Sequence, residues 1–150
     1  MSLNNTLQAN LVLASRFENI EVAERALLDL CRRAGCAADK EYWLVTALRE
    51  AVANAVRHGN RQDPERLVRL EYRIHDSTVT ICVEDEGEGF DPADVPDPTD
   101  PANLLRPSGR GIFYMRQFMN RVAFSPSPRG GTTVLMECDL KSTEHDPDRE

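Results

Sequence analysis

Two glycine turns and one polar helix face limit what this chain can fold into more than any other feature of its sequence. The polar face lies in residues 50–58, the first glycine turn in residues 85–90 and the second in residues 108–111. A carboxylate and an amide one helical turn apart can supply a general base and a metal ligand. Two glycine turns can supply an acceptor for a base and a cradle for phosphate. The three segments make chemical sense as one nucleotide pocket, so the fold has to bring them together.

The size and charge of the chain limit it to one domain. Its 150 residues are 41% hydrophobic and 29% charged, which suits a single ordinary core. The formal net charge of −7 argues against a nucleic-acid partner, because a phosphate backbone attracts a basic surface. We find no apolar run long enough for a membrane span and no signal peptide, so we expect a cytoplasmic protein without a membrane partner.

Four cysteines raise the alternatives of a metal cluster or of disulfides: Cys31, Cys36, Cys82 and Cys138. They form no C-x-x-C pair, and no histidine stands at a ligand-like spacing from any of them. Cys82 and Cys138 fall within apolar strand runs, where a free thiol behaves as a small hydrophobe. We therefore predict that the cysteines are packing residues.

Hydrophobic periodicity predicts an alternation of strands and helices. The predicted elements are a strand over residues 11–15, helices over 20–33 and from 39 or 40 to 58, a hairpin over 67–74 and 79–83, a helix from 109–111 to about 119, and a hairpin over 122–124 and 132–140. Asn19 is predicted to cap the first helix and Gly35 to end it. Gly59 and Asn60 are interpreted as the end of the second helix.

This element order predicts an α/β (α+β) two-layer sandwich. A mixed, mostly antiparallel sheet would carry three helices on a single face. We expect the domain to span residues 11–140, after a flexible N-terminus over 1–10 and before a disordered acidic tail over 141–150. Residues 90–106 have neither helical nor strand periodicity and contain four prolines, so they predict a long loop of the kind that forms lids.

The polar face of the second helix carries Glu50 and Asn54, which are four residues apart and so share one side, with His58 one turn further on. Asparagine is a poor residue for a helix interior because its side chain competes for backbone hydrogen bonds. An oxygen ligand for Mg²⁺ would explain its place. A solvated helix face is the alternative interpretation.

The first glycine turn follows a predicted strand. Asp85 at the strand end is a candidate acceptor for an exocyclic amine, and Gly87 and Gly89 would let a flat ring approach the backbone, with Phe90 next to it. An ordinary acidic hairpin turn is the alternative. The segment is not a dinucleotide fingerprint, because the third glycine of that pattern is missing.

The second glycine turn stands where a loop enters a helix. Gly109, Arg110 and Gly111 would place free amides and the positive end of the helix dipole at an anion. Residues 84–101 hold eight carboxylates and no Lys or Arg, whereas residues 102–129 hold five arginines and no acid. Phosphate is therefore expected on the second stretch, although a simple glycine hinge is also compatible with this sequence.

With these segments in this order, the chain resembles the GHKL ATPases, which have the Bergerat fold. It is most similar to their small bacterial branch, the anti-sigma-factor serine kinases of partner-switching systems. The resemblance covers about residues 11–140, including the opening strand and helix over residues 11–27 and the sequence Gly130, Gly131, Thr132 on the closing strand.

The resemblance implies a role for each matching position. Asn54 would chelate Mg²⁺, Glu50 would be the general base, Asp85 would read adenine, Gly87 and Gly89 would form the first turn, Gly109 and Gly111 would bind phosphate, and Thr132 would help to hold adenine. Arg106 is the nearest match to an arginine that contributes to phosphate chemistry, although Pro107 intervenes.

The function that the resemblance implies is an ATP- and Mg²⁺-dependent serine/threonine kinase. It would bind a sigma factor and phosphorylate a serine on the antagonist protein that competes for it. This branch commonly forms dimers, so a homodimer is one expected state. Two alternatives stay open: a nucleotide-gated binding module without kinase activity, and a detached catalytic domain of a sensor histidine kinase. Glu50 distinguishes the binding module from a kinase, since a module without kinase activity needs no carboxylate at that position.

Overall fold

The computed structural model describes residues 6–87 and 115–141. In chain order, the described elements are β1 (Thr6–Ala14), α1 (Asn19–Ala34), α2 (Ala38–Asn54), β2 (Leu67–His75), β3 (Thr78–Glu84), β4 (Arg121–Pro126) and β5 (Thr132–Asp139). Residues 115–118 are also helical and belong to the third helix that the sequence predicts. The predicted lid, the predicted start of that helix and the acidic tail from residue 142 lie outside the described residues.

The five described strands form one sheet in the order β1-β2-β3-β5-β4, and all four of its strand pairs are antiparallel. This confirms the prediction of a mostly antiparallel sheet, and no parallel pair occurs among the described strands. Helices α1 and α2 connect β1 to β2. The chain runs along the sheet once in each helix, and β2 then pairs with β1 in the opposite direction. Strand β1 also begins five residues earlier than predicted, because residues 6–10 pair with residues 71–75 of β2.

One face of this sheet is covered by α1 and α2, which confirms the two-layer architecture. Alternate residues of β2 point into the core: Val68, Leu70, Tyr72 and Ile74 are all buried. Full burial of a large apolar side chain stabilises the fold by about 1.5 to 3 kcal/mol. The hydroxyl of Tyr72 donates to the carbonyl of Ala23 in α1 at 2.8 Å, so its polar end is satisfied inside the core.

The two ends of α1 fit the sequence prediction unequally. Gly35 adopts a left-handed conformation with φ of 73°, and the amide of Cys36 donates to the carbonyl of Cys31 at 3.0 Å, which confirms the predicted stop. Asn19 was predicted to cap the helix, and this was wrong. It is the first helical residue, and its side-chain amide donates to the carbonyl of Ala14 at 2.8 Å, which ties the helix to the end of β1.

All four cysteines are free, in agreement with the prediction. Burial is the largest cause that raises the pKa of each thiol, so the sulfurs stay protonated at neutral pH. Among the helices of the described residues, none has the length and apolar character that crossing a membrane requires.

Candidate functional site

The end of β3 presents a buried carboxylate. Asp85 directly follows β3 and is 5% exposed. Its Oδ1 accepts hydrogen bonds from the amides of Gly87 at 3.0 Å and Thr132 at 3.1 Å, and its own amide donates to the Thr132 carbonyl at 3.0 Å. These bonds tie the first glycine turn to the first residue of β5. Three predicted site residues are thereby brought together, while Oδ2 receives no hydrogen bond from the described part of the chain.

Two opposing effects act on the pKa of Asp85. Burial is the larger and raises it, while the hydrogen bonds from the amides of Gly87 and Thr132 lower it. A carboxylate that has lost part of its solvation gains much from a further donor, because interactions are stronger at low local dielectric. Oδ2 is therefore suited to accept a hydrogen bond from an exocyclic amine of a nucleobase.

Three glycines stand where segments of the chain pack closely around this carboxylate. A Cβ on Gly59 would overlap Oδ2 of Asp85, and one on Gly131 would overlap its Oδ1 and its backbone carbonyl. A Cβ on Gly87 would overlap the carbonyl of Gly59. The end of the α2 segment, the first glycine turn and the start of β5 thus meet without a side chain between them, which leaves a shallow cradle of backbone around one carboxylate.

Helix α2 leads into this cradle through a change in helix geometry. Glu50 and Asn54 are both half-buried and one turn apart, as predicted. Directly after Asn54 the chain forms a wide π-helical turn, Ala55–Gly59, in which the amide of Asn60 donates to the carbonyl of Ala55 at 2.8 Å. Such wide turns are frequent at functional sites. Here the turn carries Gly59 up against Asp85.

His58 lies within the wide turn and is exposed. The expectation that it continues the stripe of Glu50 and Asn54 assumed α-helical spacing, which ends at Asn54. Partial burial is the main cause that lowers the pKa of His58, and the neighbouring charge of Arg57 lowers it further. The ring is therefore mostly neutral at pH 7, and its role in cofactor binding stays a prediction.

The third helix is fixed beside α2 by an aromatic stack. The rings of Trp43 and Phe118 lie with their centroids 3.8 Å apart and their planes at 17°. Met115 and Met119 on the same segment are buried in the core. Trp43 stands two turns before Glu50 on α2, so the described end of the third helix packs against the first half of α2.

Six predicted site residues lie outside the described part of the chain: Gly89, Phe90, Arg106, Gly109, Arg110 and Gly111. Their assignments stay predictions. Sequence reasoning in turn gave no site role to three residues that the structure places at the cradle, namely Gly59, Asn60 and Gly131. The first two were interpreted only as a helix stop. The sequence feature that could have indicated a site role for Gly59 and Asn60 is their position directly after the polar helix face.

The described residues fit a nucleotide better than a metal held by protein alone. No three side chains of His, Cys, Asp or Glu within residues 6–87 and 115–141 are grouped so that they could hold a metal ion. Mg²⁺ commonly takes one or two protein oxygens and completes its shell with phosphate and water. Asn54 can offer one such oxygen, and the cradle at Asp85 offers a flat base a hydrogen-bond acceptor.

Comparison with known proteins gives one matching family and a set of similar bacterial proteins. A model of the histidine kinase-like ATPase domain matches residues 13–138. An anti-sigma F factor of Clostridium novyi is 34% identical over 103 residues, which are 66% of this chain and 71% of that protein. An anti-sigma F factor of Oceanobacillus iheyensis is 28% identical over 141 residues, or 91% and 95% of the two chains.

A solved structure has the same fold. The RsbU and RsbW domains of Rv1364c from Mycobacterium tuberculosis superpose with a TM-score of 0.66 at 18% sequence identity. The match covers 89% of this chain and 32% of that one, so it concerns about a third of the larger protein.

Proposed function

Since this chain belongs to the family of histidine kinase-like ATPase domains, in the branch of the anti-sigma factors, we propose that it is an ATP-dependent serine/threonine kinase that binds a sigma factor. Its protein substrate would be the antagonist that competes for the chain, phosphorylated on a serine. The observation that carries the proposal is the Asp85 cradle, a buried carboxylate ringed by backbone amides and glycines, with one oxygen still able to accept a hydrogen bond.

ATP, bound with Mg²⁺, would supply the phosphoryl group. Asp85 would accept the adenine amine at Oδ2, since its Oδ1 is already held by the amides of Gly87 and Thr132. Gly59 and Gly131 let two backbone segments pack directly against the carboxylate, because a side chain at either position would overlap it. A guanine in the same place would present a carbonyl oxygen to Oδ2, and two acceptors repel. The site therefore favours adenine over guanine.

The polar face of α2 would serve the other end of the nucleotide. Asn54 offers a neutral oxygen to Mg²⁺, and Glu50, one turn earlier, would accept the proton of the attacking serine hydroxyl. Glu50 is half-buried, so its carboxylate is still reachable from solvent. A base needs such access to engage an incoming hydroxyl.

Calorimetric titration of the purified chain with ADP and with ATP, in the presence of Mg²⁺ and then of a chelator, tests the nucleotide site. We expect saturable binding of both nucleotides that weakens without Mg²⁺. A folded protein that takes up neither nucleotide would end the proposal. Homodimer formation belongs to the same proposal, and light scattering coupled to size exclusion measures it independently of nucleotide binding.

A further inference from the structure

The segment between α2 and β2 contains a fully buried asparagine. Asn60 is 0% exposed. Its Oδ1 accepts a hydrogen bond from the amide of Glu86 at 2.7 Å, and its Nδ2 donates to the Ser15 hydroxyl at 2.6 Å and to the Leu67 carbonyl at 3.0 Å. Asn60 thus joins the end of β1, the start of β2 and the residue after Asp85. Because every polar atom of this side chain has a partner, its burial is satisfied.

Glu86 makes a second connection between the same two segments. Its Oε1 accepts a hydrogen bond from the amide of Leu67 at 2.7 Å, and its Oε2 lies 3.8 Å from Nη2 of Arg69. Glu86 is therefore held twice, once by its own amide to Asn60 and once by its carboxylate to Leu67. The turn that carries Asp85 cannot shift without breaking one of these bonds.

The backbone beside Asn60 shows that these bonds act on a strained segment. Arg61 and Gln62 are consecutive non-glycine residues in the left-handed region, with φ of 52° and 58°. Such backbone persists only where surrounding contacts over-determine it, and it is common at ligand sites. The carbonyl of Asn60 accepts a hydrogen bond from the amide of Asp63 at 3.0 Å, which closes the segment on the same residue.

We propose that Asn60 and Glu86 are positioning residues that fix the Asp85 carboxylate for the base of the nucleotide. The inference rests on the proposed function, because it gives these two residues a role in the same site. Glu86 is the next residue after Asp85, so a displaced Glu86 amide displaces Oδ2 as well. A hydrogen bond to the base weakens steeply when its donor and acceptor lose alignment, and small misplacements in a site have large effects.

The first experiment compares two variants of the same network. Asn60→Ala removes the acceptor of the Glu86 amide, whereas Ser15→Ala removes a partner of Asn60 and the donor to the Arg66 carbonyl but leaves the bond between Asn60 and Glu86 in place. Both should unfold at lower urea concentrations than the wild type. We expect Asn60→Ala to weaken ADP by about ten-fold, and Ser15→Ala by less than about three-fold, in calorimetric titrations at a temperature where both are folded.

A second pair of variants, at Glu86, tests the positioning role if Asn60→Ala does not fold. Glu86→Ala removes the acceptor for the Leu67 amide, while Glu86→Gln retains an oxygen at that position and should restore most of the ADP affinity. Each variant is also titrated with IDP, whose base presents an oxygen where adenine has its amine. We expect the ADP preference over IDP to fall in Asn60→Ala and Glu86→Ala, since a purely structural loss weakens both nucleotides alike.

The outcomes separate this inference from the function on which it rests. Equal weakening by Asn60→Ala and Ser15→Ala, an unchanged ADP preference, or a Glu86→Gln variant no better than Glu86→Ala overturns the positioning role alone. A wild-type chain that binds no ADP overturns the proposed function and this inference together.

Discussion

Replacing Asp85 with asparagine separates the two tasks of this side chain. Asparagine has the same shape, so its carbonyl oxygen can keep accepting the amides of Gly87 and Thr132, which lie at 3.0 and 3.1 Å from Oδ1 in the wild type. Its Nδ2 then takes the place of Oδ2 and presents a donor. The turn keeps its hydrogen bonds, whereas the adenine amine loses its acceptor.

The expected loss of affinity follows from that one bond. A lost hydrogen bond to a charged acceptor costs about 1.5 to 3 kcal/mol, which weakens ADP roughly 10- to 150-fold. IDP should behave in the opposite way, because its base offers an oxygen that the new amide can reach. The ratio of ADP to IDP affinity should therefore fall further than the ADP affinity itself.

The stability of the same variant has a predictable sign. Burial raises the pKa of Asp85 in the folded chain despite its two amide donors. A carboxyl whose pKa rises on folding holds its proton more tightly in the folded state, so stability falls as the pH rises from the unfolded pKa through the folded one. At pH 7 the ionised Asp85 reduces stability. Asp85→Asn should therefore unfold at the same urea concentration as the wild type or at a higher one.

The assay is a calorimetric titration of ADP and IDP into three proteins at pH 7, with urea unfolding of each. Glu84→Gln is the matched control, because Glu84 neighbours Asp85 but points to the opposite face of the sheet, where it accepts the Ser127 hydroxyl at 2.7 Å. We expect wild-type affinities from this control. If Asp85→Asn binds ADP like the wild type, or loses ADP and IDP by one common factor, Asp85 does not read the base.

Three further substitutions test other parts of the structure. Asn54→Ala should remove the Mg²⁺ dependence of ADP binding while keeping or raising the urea midpoint, because alanine is the better helix former; calorimetry with and without Mg²⁺ checks this. Gly131→Ala places a Cβ against Asp85, so we expect ADP to bind at least about ten-fold more weakly and the free energy of unfolding to fall by about 1 to 3 kcal/mol. Tyr72→Phe removes the bond to the Ala23 carbonyl and should lower the free energy of unfolding by about 0.5 to 1.5 kcal/mol in urea, with ADP affinity unchanged.

Each of these predictions has a clear contrary result. Retained Mg²⁺ dependence in Asn54→Ala would remove Asn54 from the metal, and normal ADP binding by Gly131→Ala would show that the cradle tolerates a side chain. A Tyr72→Phe variant that loses ADP affinity would mean that the hydrogen bond in the core also affects the nucleotide site.

The elements that the sequence predicted correctly are those whose signal is local. The alternation of apolar residues over residues 67–74 and 79–83 predicts which residues of β2 and β3 face the core. Gly35 predicts the left-handed residue that ends α1. The place of Asp85 and Gly87 in a turn directly after β3 was also predicted from a local signal, a glycine turn at the end of an apolar strand run. Residues 6–10 were missed because they become strand only by pairing with β2, some 65 residues away.

The parts of the site that sequence reasoning missed depend on contacts between distant segments. Gly131 and Asp85 are 46 residues apart, and nothing in the sequence near Gly131 shows that a Cβ there would strike a carboxylate. Asn60 looks like a surface turn residue until the fold buries it against Ser15 and Glu86. The wide turn after Asn54 is also invisible to periodicity, because it shifts the helix by a single residue.

Phosphate transfer to a partner protein tests the central claim most directly. The chain is incubated with γ-labelled ATP, Mg²⁺ and an antagonist protein of the same genome that displaces the bound sigma factor from the chain, so that partnership is established independently of chemistry. We predict label on a serine of the antagonist, and a fall in rate of roughly 10² to 10⁴ in Glu50→Gln with ADP affinity preserved. A wild-type chain that transfers no phosphate to this antagonist, yet still releases its sigma factor when the nucleotide is exchanged, would contradict the kinase assignment and identify a nucleotide-gated binding module.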